Sequence, residues 1–69
     1  MTEYERLCRT EELFATIEIR EKETGKIGIA SINKGNVELF YGADDGSDDK
    51  VISPEQFNRD FEITGASKD

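Results

Sequence analysis

Four aspartates fall within the six positions from Asp44 to Asp49, in the stretch "GADDGSDDK" (residues 42 to 50). Carboxylates packed this closely repel one another unless a cation, a cationic protein surface or water screens them, and each answer implies a different chemistry. Calcium is the most specific of the three and can be tested by spacing. An EF-hand loop needs glycine at its sixth position and oxygen ligands at positions that include the first, third, fifth and twelfth. With Gly46 as that glycine, these four places fall to Tyr41, Ala43, Asp45 and Ile52. Only Asp45 is suitable, so the EF-hand is excluded. What is left of the cation reading is a loose, weak site of Asp44, Asp45, Asp48 and Asp49.

Catalytic chemistry finds less support. The chain has no histidine, its one thiol, Cys8, has no base beside it, and Ser31, Ser47, Ser53 and Ser67 lie in no nucleophile motif. Glu11 with Glu12, and Asp48 with Asp49, are pairs adjacent in sequence. A chain this short cannot wall off the cleft that would separate their pKa values for acid–base work. "TGKIG" lacks the spacing and the Lys-Ser/Thr ending of a phosphate-binding loop. The expectation is a protein that is not an enzyme, with no cofactor and no metal, in which Cys8 is a small buried apolar residue, a reactive or dimer-linking thiol being the alternative.

Charge is the more informative property. Sixteen acidic against nine basic residues give a net charge of −7, which repels nucleic acid and anionic lipid and favours a basic protein surface. Duplex DNA presents one phosphate per about 1.7 Å of axis, a field that carboxylates on a rigid β domain can imitate. The residues that would carry such mimicry are Asp44, Asp45, Asp48 and Asp49, helped by Glu38, Glu18, Glu21 and Glu23. The plain alternative is a solvated acidic surface that aids solubility. A second functional expectation rests on apolar contact, through Phe40 and Tyr4, or on homodimerisation through the N-terminal helix. No apolar run approaches the roughly 20 residues of a membrane span, and "MTEYERLCRT" lacks a hydrophobic signal segment, so a cytoplasmic location without membrane contact is expected.

The elements that must position these residues are short. Thr2 and Glu5 form a capping-box pattern that starts a helix running to about Arg9, with Tyr4, Leu7 and Cys8 on one stripe and Arg6 and Arg9 near its negative end. From Leu13 the period becomes two: Leu13, Ala15, Ile17 and Ile19 alternate with Phe14, Thr16, Glu18 and Arg20, predicting a strand. "KETGK" supplies a turn at Gly25 and "IGIASIN" a second strand, whose apolar phase slips near Gly28 to Ala30 as a bulge or bend would make it. "NKGN" reads as a tight hairpin turn and "VELFYG" as the third strand, with Phe40 and Glu38 on its second face. "KVIS" is a short fourth strand. Ser53, Pro54 and Gln56 then start a helical turn that Phe57 and Phe61 anchor, and "FEIT" closes with a last strand.

After the initial helix this order resembles a small SH3-like β-barrel. "KETGKIG" looks like the K-x-T-G-x-x-G found where KOW-type and related SH3-like modules pass from first to second strand. "SPEQF" sits where such barrels often place one helical turn before the last strand. The resemblance covers residues 13 to 64. It departs from proline-peptide binders, since the chain has no tryptophan, and from RNA-binding modules, which are generally basic. Small acidic chains of this kind also resemble phage-encoded anti-restriction and anti-CRISPR inhibitors, which occupy nucleic-acid sites on host complexes. The expected architecture is mainly β: a single domain of residues 1–69, with an N-terminal helix (1–12), a β domain (13–64) of four to five antiparallel strands in an SH3-like sheet or barrel, and a flexible tail (65–69).

Overall fold

The computed structural model describes residues 1–42 and 49–68. Thr2 caps the first helix as its spacing requires: its hydroxyl accepts from the Glu5 amide at 3.1 Å, and the Glu5 carboxylate accepts from the Thr2 amide. Helix α1 (Glu3–Leu13) then runs past Arg9, because nothing between Thr10 and Leu13 breaks it; Phe14, in extended conformation, is its C-cap. Leu13 therefore ends a helix instead of starting a strand, and is exposed. The longer helix also moves Arg6 and Arg9 away from the negative end, so its last turn carries no basic residue. Glu11, in that turn, is used otherwise: its carboxylate accepts the Ile32 amide at 2.8 Å.

The strands are β1 (Thr16–Glu21), β2 (Ile27–Asn33), β3 (Asn36–Phe40), β4 (Lys50–Ile52) and, after helix α2 (Pro54–Asp60), β5 (Phe61–Ser67). They form one antiparallel sheet in the order β4-β3-β2-β1-β5. The sheet is open and does not close into a barrel. Turn chemistry is local and follows the residues. Lys34 and Gly35 both have positive φ, 55° and 83°, and join β2 to β3 as the two-residue hairpin loop that the right-handed twist of the strands favours. Ser53 caps α2 by accepting from the Gln56 amide at 3.2 Å, with Pro54 at the start of the helix where its missing N–H loses nothing.

Two expectations about the sheet are corrected by its register. The pairing of β2 is regular from Ile27 to Ala30 with β1 and from Ile29 to Asn33 with β3, so no bulge lies there. Ile27 and Ile29 simply point to one face and Gly28, Ala30 and Ile32 to the other. The irregularity is instead between β1 and β5: Glu18 pairs with Gly65 and Ile19 with Ile63, leaving Thr64 as the extra residue. Residues 65–67, expected as tail, are paired strand, opposite Thr16, Ile17 and Glu18.

Both helices lie on one face of the sheet. The core between them consists of Leu7, Ile17, Ile19, Ala30, Val37, Leu39, Ile52, Phe57 and Phe61, with Tyr4, Ile32, Tyr41 and Ile63 packed at its margin. Phe57 and Phe61 stack with ring centroids 5.9 Å apart. The tie between α1 and α2 is specific: the Tyr4 amide, an orphan donor of the first helical turn, is accepted by Asn58 Oδ1 at 2.7 Å. The Tyr4 hydroxyl donates to the Gly35 carbonyl at 3.0 Å, fastening α1 to the β2–β3 turn.

Gly28 is the position with least room. A Cβ there would lie 2.8 Å from both the Phe40 carbonyl oxygen and the Tyr41 ring. Gly28→Ala is expected to destabilise the fold by about 1–3 kcal/mol, read as a lower urea midpoint at unchanged slope. Partial burial, and then the charge and hydrogen bonding of Cys8, hold the Tyr4 phenol above its usual value of 10.0. The folded chain thus disfavours the phenolate, so this contribution is complete below the ordinary tyrosine value and is lost as pH rises through the higher folded one. Tyr4→Phe is expected to flatten the fall in urea midpoint that the parent chain shows as pH rises above the ordinary tyrosine value of 10.0.

Candidate functional site: the uncovered face of the sheet

The face turned away from the helices is built from alternate residues of every strand, and the register orders them in rows. Gly65, Glu18, Ile29 and Phe40 are cross-strand neighbours from β5 to β3. On one side of that row lie Ser31, Glu38 and Val51, and on the other Glu62, Arg20 and Ile27. Four large apolar side chains are therefore exposed together: Ile27 (49%), Ile29 (42%), Phe40 (39%) and Val51 (61%). One exposed apolar residue is ordinary on a small protein, whereas several sharing a face make a surface suited to contact.

The charges on this face are of two kinds. Arg20 and Glu62 neutralise each other, with Arg20 Nε donating to the carboxylate at 2.8 Å. Glu18 and Glu38 have neutral partners: the Thr64 hydroxyl donates to Glu18 Oε1 at 3.2 Å, and the Asn33 side-chain amide donates to Glu38. Among the described residues neither is in an ion pair. Two shallow depressions meet at Glu18. One, of ≈ 250 Å³, is lined by Glu18, Ile27, Gly28, Ile29, Phe40, Tyr41 and Gly42. The other, of ≈ 200 Å³, is lined by Thr16, Glu18, Gly65, Ala66 and Ser67, and owes its floor to the missing side chain at Gly65.

The residues singled out by charge are spread over the molecule. Glu18 and Glu38 share the open face with Phe40. Glu21 and Glu23 lie at the β1–β2 turn, where Glu21 accepts from the Thr24 hydroxyl at 2.6 Å. Asp49 stands at the base of the acidic loop, its carboxylate accepting the Tyr41 amide at 3.2 Å. Asp44, Asp45 and Asp48 lie outside the described residues. Tyr4 is on the helical side, half-buried, with both its amide and its hydroxyl in hydrogen bonds to the fold. Ile27, Ile29 and Val51 were not expected as surface residues. The signal for the two isoleucines was present in the alternation of "IGIASI", which reads as two faces once the phase slip is set aside.

Among the described residues, no three carboxylates or thiols converge as metal ligands, and no helix is long and apolar enough to cross a membrane. No protein-family model, curated protein or solved structure matches the chain.

Carboxylates of the two sorts should respond differently to neutralisation. Glu18→Gln with Glu38→Gln is expected to leave the unfolding free energy within about 0.5 kcal/mol of the parent, since one exposed and one half-buried carboxylate, each bonded to a neutral donor, are replaced by isosteres. Glu3→Ala removes the acceptor of the Ile63 amide, now bonded at 3.0 Å. It is expected to cost about 1–3 kcal/mol, by urea titration of the two variants side by side.

Proposed function

We propose that the chain is a non-enzymatic acidic module that binds a basic protein surface, of the kind that otherwise holds nucleic-acid phosphates, and thereby inhibits the complex that carries it. The observation that supports this reading most is the pairing of Glu18 and Glu38, which have no countercharge among the described residues, with an exposed apolar band on the face that the helices leave open. Apolar contact supplies most of the affinity of such a surface, while uncompensated carboxylates steer it towards lysine and arginine and away from acidic partners. The net charge of −7 extends the same preference to longer range. The resemblance to small phage inhibitors belongs with this reading.

The exposure of Ile29, Phe40 and Val51 also favours a second reading, that of an SH3-like adaptor working through apolar contact alone. Ionic strength distinguishes the two. The immobilised chain is expected to capture its partner from source-cell extract at about 50 mM salt and to release it at about 500 mM, where the Debye length is only a few ångströms. Duplex DNA in excess is expected to compete. A variant with Glu18 and Glu38 changed to Gln and Asp44, Asp45, Asp48 and Asp49 changed to Asn should lose capture. Retention by that variant and at high salt, with loss on Phe40→Ser, would establish the adaptor reading instead.

A further inference from the structure

The arrangement of the open face says more about its occupant than the sign of its charge. Register places Ile27 and Ile29 two residues apart on β2, Phe40 beside Ile29 on β3, and Val51 one row further on β4. With strands about 4.8 Å apart and about 3.4 Å per residue, these four form a diagonal stripe roughly 17 Å long. An α-helix covers that length in about eleven residues, or three turns. Glu18 and Glu38 are two strands and one row apart on the same flank of the stripe, a separation of about 12 Å by the same spacings. That corresponds to about eight residues of helical rise. A helix with an apolar stripe and cationic residues at i and i+8, or nearly so, matches both features at once.

We propose that the open face seats one basic amphipathic helix of a protein partner. Its apolar side chains lie along Ile27, Ile29, Phe40 and Val51, and its lysines or arginines meet Glu18 and Glu38. This rests on the reading of the chain as an acidic protein-binding module and names the element that the module binds. Charge complementarity selects this occupant. A second copy docked through the same face would bring together two surfaces of like charge, each with Glu18, Glu38 and Glu62 against Arg20 alone, and would add −7 to −7. The helix α1 of another copy cannot serve, because its apolar side, with Leu7 wholly buried and Tyr4 at the core margin, is already used within the fold. An extended segment binds a sheet by its edge, through backbone hydrogen bonds, and makes little use of side chains standing on its face.

The test is titration of the isotope-labelled chain, followed by amide NMR, with a synthetic helical peptide of about 14 residues. It carries lysine at i and i+7 and leucine at i−1, i+3, i+6 and i+10, so that both lysines lie on one flank of the apolar stripe; a scramble of the same composition serves as control. Expected are shifts centred on Glu18, Ile29, Glu38 and Phe40, at least tenfold weaker binding of the scramble, and at least tenfold weakening by Phe40→Ala or by Glu18→Gln with Glu38→Gln. Equal binding of peptide and scramble, shifts confined to residues 43–49 or to α1, or no binding of the peptide would each overturn the proposal. So would a dimer in sedimentation that Phe40→Ala dissociates. Capture of the native partner that stays salt- and carboxylate-dependent while the peptide fails would remove the helix seat and leave the acidic module standing. Peptide binding at this face together with salt-insensitive capture would do the reverse.

Discussion

A sheet has two faces, and among the described residues of this 69-residue chain five strands form one sheet and two short helices cover it. Both go to the same side. Concentrating Leu7, Phe57 and Phe61 against Ile17, Ile19 and Leu39 makes one continuous core, which is the only economical arrangement when surface is large relative to volume. Everything distinctive about the molecule follows from that allocation. The opposite face must be tolerable in water, and is made so by Glu18, Arg20, Glu38 and Glu62, yet it keeps Ile27, Ile29, Phe40 and Val51 where polar residues would have served solubility better.

Carboxylates in this protein have divided uses, and composition alone does not separate them. Glu5 completes a helix cap, Glu11 receives the amide of Ile32 beyond the end of the pairing of β2 with β1, and Glu3 receives that of Ile63. Each replaces a missing backbone acceptor and is part of the fold as much as any strand bond. Glu18 and Glu38 accept from side-chain donors, and among the described residues neither is in an ion pair. Net charge therefore does not show which carboxylates serve the fold and which stand on the open face; position on the sheet does.

The features legible in the sequence are those whose cause lies within a few residues. Thr2 with Glu5, Ser53 with Pro54, and Lys34 with Gly35 satisfy orphan amides or adopt positive φ locally, and each was readable from its own spacing. Where the cause is a distant partner, reading failed. Leu13 and Ala15 continue the alternation of Ile17 and Ile19, but the helix that begins at Thr2 extends far enough to claim Leu13. Strand β5 reaches Ser67 only because Thr16 and Ile17 are there to pair with it, and the bulge at Thr64 belongs to that pairing. The candidate site suffered similarly: Phe40, Glu18 and Glu38 were legible individually, but their assembly with Ile27, Ile29 and Val51 depends on register across four strands.

The hydrogen bond from Ile63 to Glu3 has a consequence for self-association. Strand β5 is a seven-residue edge, and an edge with unpaired amides is a template on which other chains can add strands. The Glu3 carboxylate occupies one of those amides and brings the start of α1 against the edge, so the N-terminal turn acts as a guard. Fraying of that turn, the least costly local opening available to a helix end, unmasks the edge before the core is disturbed. The first turn of α1 thus bears on whether the β5 edge is open to strand addition, a matter remote from the open face of the sheet.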